Sequence, residues 1–286
     1  MTMKAIFVAV SGGTASDGAL EIACRLARQH QARLEAFHAK VDPAEVLILA
    51  SDGYNMPISG DWIDRLVADS DALAKTTKSR FEDAAKRYQL ALVPSTQAKQ
   101  AAAWREEVGY APIIVSRRAR FFDLAVLGRS ERVVERPHSD VIEETLIHSG
   151  RPVLLAPAQA PATIGESIAV GWNGSPEAVH AVTAALPLLA TAKSVLVITV
   201  GRDQEVENPL ALLEYLASHD IAARHHIASP VKGVGPGEQF LAEARDAAAD
   251  LLVMGAYGHR PWRELLFGGA TREVVGHSLL PVLLAH

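Results

Sequence analysis

Nothing narrows the folding options of this 286-residue chain more than its internal repeat. Asp123-Leu-Ala-Val-Leu-Gly128 returns as Asp250-Leu-Leu-Val-Met-Gly255, and Pro152-Val-Leu-Leu-Ala156 returns as Pro281-Val-Leu-Leu-Ala285, at offsets of 127 and 129 residues. Self-similarity over a span of domain size means that one plan of elements is used twice. Each unit opens with a short apolar run that ends in small polar residues: Ile6 to Val10 before Ser11-Gly12-Gly13, and Ile168 to Trp172 before Asn173-Gly174-Ser175-Pro176. Such a run reads as a buried strand meeting a helix start. Ser175 supplies an N-cap and Pro176 a first-turn proline.

The second unit reads as strands at 167–172, 194–200, 221–227, 250–254 and 281–285, with helices at about 176–190, 207–219, 237–248 and 270–278. The first unit reads as strands at 4–10, 33–39, 90–94, 122–127 and 152–156. Short apolar runs bounded by Gly, Pro or Asn and separated by helical stretches predict the α/β class, with two tandem doubly wound parallel sheets of five strands. Ala, Leu and Val dominate the apolar residues, as suits helices on buried parallel strands. The expected domains are 1–157 and 166–286, around a linker from Pro157 to Gly165. Only the first carries an insertion, Asp42 to Gly60, followed by an amphipathic helix over about 61–89. Its stripe of Ile63, Leu66, Val67, Leu73, Phe81, Ala84 and Tyr88 is expected to pack against the chain or a second copy.

With 49% hydrophobic and 21% charged residues the chain is globular, and a net charge of −5 offers no basic field to nucleic acid or an anionic membrane. Neither is expected as a partner. Met1 to Val10 is too short for a secretory signal, and no apolar stretch approaches the 18 or so residues of a membrane span. The lone Cys24 reads as core filler. These features lead us to expect a soluble, cytoplasmic protein.

The strongest local signal follows the fourth strand of the second unit. Gly255-Ala-Tyr-Gly258 is followed by nine residues and then by Gly268-Gly269-Ala270-Thr271 at a helix start. Glycines between a strand's carboxyl end and a helix N-terminus let backbone amides approach a phosphate, and in open α/β sheets ligands sit there. The pattern Gly255-x2-Gly258-x9-Gly268, flanked by Ala249 to Met254 and Pro281 to Ala285, resembles the nucleotide-binding signature of the universal stress protein family. Trp172-Asn173-Gly174-Ser175-Pro176-Glu177 is similar to the end of that family's first strand. The resemblance covers both halves and is stronger in 167–190 and 250–286 than before 120.

The resemblance implies an adenine nucleotide alpha hydrolase-like fold, with strand order 3-2-1-4-5 in each domain and the domains packed about a pseudo-twofold axis. It implies ATP or AMP as ligand, with Val200 near the base, Asn173 near the nucleoside, and Gly255, Gly258, Gly268 and Thr271 around the phosphates. His259, Arg260 and Arg263 fall inside the loop, within reach of a phosphate. Two positions depart from the pattern. Asn173 stands where the family usually has Asp, so no carboxylate is available to magnesium or ribose. Gly269 stands where a Ser or Thr is expected directly after the third glycine, although Thr271 keeps a hydroxyl in the same turn.

The first unit has Glu131 in place of the second glycine and Ser139-Asp140 near the third. Carboxylates there repel phosphate, so no nucleotide is expected in this unit, whose role reads as packing. Ser11-Gly12-Gly13-Thr14-Ala15-Ser16 resembles the phosphate loop of ATP pyrophosphatases, but Ala15 replaces its Asp. Arg117, Arg118, Arg120, Arg129, Arg132 and Arg136 read as a solvated basic face. Ser229 to Gly237 reads as a candidate mobile loop. Adjacent His225 and His226 point to opposite faces of a strand, so no metal site is expected. No arrangement of catalytic residues stands out, and at most slow ATP hydrolysis is expected. The reading is therefore a stress-response protein that binds adenine nucleotide in its C-terminal domain as a sensor or regulator, either a homo-oligomer or an intramolecular pseudo-dimer, with a regulated protein partner. The alternative is a dimerisation and partner-interaction module without nucleotide.

Overall fold

Aliphatic runs of four to eight residues pair side by side and bury both faces beneath helices. The computed structural model describes residues 2–44, 60–94, 100–129, 137–201, 209–256, 271, 273, 274, 276 and 278–286. It divides into two units, Met3–Arg151 and Pro152–His286.

In the first unit β1 (Ala5–Ala9), β2 (Arg33–Lys40), β3 (Ala91–Leu92), β4 (Ala101–Val108) and β5 (Leu124–Gly128) run parallel in the order β3-β4-β2-β1-β5. Helices α1 (Thr14–Gln29), α2 (Gly60–Arg87), α3 (Ala111–Ala119) and α4 (Pro137–His148) alternate with them. Phe7, fully buried, lies between Phe37 and Phe122 with ring centroids 5.7 and 5.4 Å away. The expected strand at 90–94 shrinks to the two residues of β3, and the long partner of β2 is β4, which sequence patterning misses. Ala101-Ala-Ala-Trp-Arg-Glu-Glu-Val is rich in Ala and Glu, poor strand formers. Pairing from Leu34↔Ala102 to Lys40↔Val108 overrides that preference.

Helix α2 packs onto its own unit through its C-terminal half, where Phe81, Ala84 and Ala85 are buried. Arg87 pairs with Glu21 at 2.9 Å, Lys40 pairs with Asp71, and the Ser70 hydroxyl accepts from Val41 N at 3.3 Å. The first half of the predicted stripe behaves differently: Val67 and Leu73 stay 38% and 42% exposed. Most of the inserted segment that precedes α2, residues 45–59, lies outside the described residues.

The second unit contains β6 (Val153–Ala156), β7 (Ser167–Gly171), β8 (Ser194–Val200), β9 (Ala223–Ala228), β10 (Leu251–Gly255) and β11 (Val282–Ala285), in the order β9-β8-β7-β10-β11-β6. Helices α5 (Pro176–Leu189), α6 (Pro209–Ala217) and α7 (Pro236–Asp246) fall at the expected places. Counting β7 to β11 in sequence, the sheet has the order 3-2-1-4-5 that the resemblance implies. The strand that the repeat counts as the fifth of the first unit, β6, groups instead with this unit and runs antiparallel to β11, with Val282 opposite Leu155. Among the described residues no helix is long and apolar enough to cross a membrane.

The repeated Asp has the same task in both units. The Asp250 carboxylate accepts from the backbone N–H of Gly165, Glu166 and Ser167 at 2.9–3.1 Å, tying down the start of β7. Asp123 accepts from Lys4 N and Ala5 N at 2.7 and 2.9 Å, at the start of β1.

Candidate functional site

In the second unit β7 is flanked by β8 on one side and β10 on the other, so chain directions diverge at its carboxyl end. This is the switch point at which open α/β sheets leave a crevice. Met254 is the register partner of Gly171, which sets the loops after β7 and β10 side by side.

The loop after β7 is built locally. Asn173 Oδ1 accepts from Ser175 N at 3.1 Å, an Asx turn, and Gly174 takes φ +74°, where a side chain would be strained. Ser175 then caps α5, its hydroxyl accepting from Ala178 N at 3.2 Å, with Pro176 in the first turn. Asn173 itself is exposed. Its carbonyl oxygen is engaged by the turn, so it offers a ligand its amide N–H2.

Gly255 ends β10, and a Cβ there would lie 2.5 Å from Ala178 N and 2.6 Å from Glu177 C. Its lack of a side chain therefore lets β10 approach the first turn of α5, whatever else the loop does. Val200 ends β8 beside Ala228 of β9 and is half-buried, at the same end of the sheet. Thr271 is buried, at 3% exposure. The remaining predicted positions, Gly258, His259, Gly268 and Gly269, with Arg260 and Arg263, lie outside the described residues. The structure thus sets Asn173 and Gly255 on adjacent loops. What sequence reasoning misses is the partner of Gly255, the backbone of Glu177 and Ala178 in the first turn of α5.

Neighbouring features are accounted for by packing. Gln239 donates to Ser229 O at 2.7 Å and accepts from Val231 N at 3.3 Å, while Glu273 accepts from Gly237 N at 3.0 Å. The Ser229 to Gly237 segment is tied at both ends. His225 faces Thr199, with Nε2 3.2 Å from its hydroxyl, whereas His226 faces Glu243 at 3.2 Å. Burial, and then the neighbouring His226, lowers the His225 pKa. Among the described residues no group of three or more His, Cys, Asp or Glu is placed to hold a metal ion. In the first unit Arg118 leaves the basic face to form two hydrogen bonds, 2.6 and 2.7 Å, with the buried carboxylate of Glu35. Glu131 lies outside the described residues, and Ser139 and Asp140 fall in α4.

Comparison with known proteins agrees with this architecture. Residues 166–286 match the universal stress protein family. A curated universal stress protein of Synechocystis is 27% identical over 167 residues, which is 57% of this chain and 57% of that relative's length. The fold is similar to that of a universal stress protein from Archaeoglobus fulgidus, with a TM-score of 0.71 at 15% identity over 100% of this chain and 99% of the other. It is also similar to a functionally unknown protein from Pseudomonas aeruginosa, with a TM-score of 0.56 at 14% identity over 99% of this chain and 92% of the other.

Proposed function

Because residues 166–286 match the universal stress protein family, we propose that the C-terminal unit binds an adenine nucleotide, ATP or AMP, and serves as a sensor or regulator with little or no catalysis. The observation that carries this reading is the pairing of β7 and β10 at the switch point, which brings the Asn173 turn beside the start of the Gly255-x2-Gly258-x9-Gly268 loop. In this reading the backbone N–H groups of Gly255, Gly258, Gly268 and Gly269 cradle the phosphates, with His259 and the Thr271 hydroxyl as side-chain partners. The Asn173 amide meets the ribose, and Val200 lies against the base.

Ligand binding to the native state raises stability by mass action, by about 2.7 kcal/mol at a hundred times Kd. Millimolar ATP, ADP or AMP should therefore raise the melting temperature of the full chain. The rise should be absent in Gly258→Val and Gly268→Val chains that unfold like the parent without ligand. A parent chain indifferent to all three nucleotides, and free of bound nucleotide as purified, would refute the proposal. Asn173 gives magnesium no carboxylate, so we expect the rise to depend little on Mg2+, and Asn173→Asp to introduce such a dependence.

One observation favours the second reading, a module for dimerisation and partner docking. Trp62, Val67 and Leu73 of α2 are 38%, 38% and 42% exposed. In that reading a Trp62→Glu/Val67→Glu chain has a lower solution mass than the parent, while its nucleotide response is unaltered.

A further inference from the structure

The unit Met3–Arg151 contains an open cavity of about 390 Å3 at the carboxyl ends of its strands, lined by residues of β1, β2, β5, α1, α2, α3 and α4 and the turn after β1. That volume is at the lower end of the roughly 300–1,000 Å3 of small-molecule sites. Its walls are mostly apolar, with Phe37 and Val115 at the base and Leu66 and Leu73 of α2 on one side. Among the described residues the lining includes no Lys or Arg, and its only acidic side chain, Asp69, is exposed. Among these residues an anion would meet a carboxylate and no counter-charge.

Helix α2 also closes the turn that would otherwise suit a phosphate. Gly12 has φ +87°, and a Cβ on it would lie 2.5 Å from Leu73 Cδ1 and 2.8 Å from Thr77 Oγ1. Gly12 thus makes room for a helix, and the neighbouring space is left to apolar side chains.

The few polar groups in the lining have defined states. Ser16 Oγ accepts from Ser11 N and Gly12 N at 2.9 and 3.2 Å, and Ser70 Oγ accepts from Val41 N at 3.3 Å. His38 is 2% exposed, and its Nδ1 lies 2.7 Å from Val10 O. A carbonyl can only accept, so Nδ1 carries the proton, and in the neutral form of the ring Nε2 is an acceptor. The ring stacks on Trp104 with centroids 5.9 Å apart and planes 17° from parallel, which fixes its orientation. Among the described residues Nε2 has no hydrogen-bond partner. An accessible acceptor on a mostly apolar wall favours a ligand that brings a donor.

We propose that this cavity binds a neutral, mainly hydrocarbon or aromatic small molecule carrying a hydroxyl donor, its ring or chain against Phe37, Leu66, Leu73 and Val115 and its hydroxyl on His38 Nε2. The site differs in place and chemistry from the nucleotide site of the other unit. Its ligand is uncharged, and its recognition group is an acceptor.

The test uses the full chain and N-phenyl-1-naphthylamine, an uncharged fluorophore that brightens in apolar surroundings and carries one N–H donor. The expected result is saturable brightening that 1-naphthol reverses. Naphthol should bind at least about fivefold more tightly than 1-methylnaphthalene, which has the same rings and no donor, as befits one hydrogen bond of about 1 kcal/mol. It should also outcompete the 1-naphthoate anion. Leu66→Trp fills the cavity from the half-exposed side of α2, leaves the His38 hydrogen bond in place, and should abolish the brightening while the melting curve is retained. The proposal is overturned by no saturable signal, by equal affinity for naphthol and methylnaphthalene, by an unaltered signal in Leu66→Trp, or by displacement of the probe by ATP.

Discussion

Asp250 shows how one residue type recurs in a repeat for a reason that the sequence does not display. The spacing Asp-Leu-x-Val-x-Gly is visible in the chain, but the amides of Gly165, Glu166 and Ser167 that its carboxylate accepts lie some 85 positions away. Removing the carboxylate leaves three amide donors at the start of β7 short of an acceptor. Bonds to charged groups contribute roughly 1.5–3 kcal/mol each at most when buried. Asp250→Ala should therefore lower the unfolding free energy by about 3 kcal/mol in urea titrations. Asp123→Ala, with two partners and an exposed side chain, should cost clearly less; equal losses would contradict this ranking. Gly255 combines two demands in one position. The sequence presents it as a ligand glycine, yet a Cβ there meets the backbone of Glu177 and Ala178, which cannot step aside as a side-chain tip can. Gly255→Ala should thus cost about 1–3 kcal/mol with no nucleotide present, and a ligand-free chain that melts as the parent does would show that α5 moves freely.

At the scale of elements, short apolar runs bounded by small polar residues place β1, β2, β5 and all of β7 to β11 within a residue or two. The strand β4 and the surroundings of α2 escape them, for physical reasons. β4 is written in Ala and Glu and exists because β2 needs a partner along its whole length. Helix α2 is foreseen as amphipathic, but its stripe serves two surroundings: Phe81 and Ala84 enter the core, while Leu66 and Leu73 face a cavity. Element contacts also explain the exception within the arginine cluster. Arg118 on α3 reaches Glu35 on β2, only 4% exposed, and its guanidinium lies 5.7 Å from the Phe122 ring centroid. The hydrogen bonds that Arg118 donates to Glu35 hold the Arg118 pKa above its usual value. Arg118→Met keeps the stem's packing but strands a buried carboxylate, a change that costs on the order of 3 kcal/mol. Most of it should be recovered in Arg118→Met/Glu35→Gln, which leaves no charge behind. A double variant as unstable as the single one would show that α3 packing, and not the ion pair, is responsible.

For the whole molecule, the two-unit α/β plan is legible because each unit repeats the same strand-ending motifs, whereas the cavity is not, since its lining comes from seven elements that only the sheet order brings together. Stability as a function of pH is likewise a property of the assembled chain. Burial lowers the pKa of His30, and burial and then His226 lower that of His225. A histidine kept neutral in the fold binds fewer protons than in the unfolded chain, so stability is full above about pH 6.5 and falls as the pH drops below it. Cys24 acts at the other end. Burial first, and then the charge of Glu21, push its thiol from 9.0 to about 12. The unfolded thiol ionises from about pH 9 while the folded one does not, so the unfolded state loses protons first and stability declines as the pH rises from 9 towards 12. Tyr88, raised by burial and by its hydrogen bond to Glu21, acts in the same sense. Urea midpoints measured from pH 5 to 11 should therefore trace a dome. Its acid limb should flatten in His30→Gln and His225→Gln chains, and its alkaline limb in Cys24→Ala. In the native state at pH 8 the Cys24 thiol should resist a thiol-specific reagent until urea unfolds the chain, because only the thiolate reacts and burial withholds it. Rapid labelling of the folded protein, or an alkaline limb unchanged by Cys24→Ala, would place Cys24 in contact with water and remove it as the source of that limb.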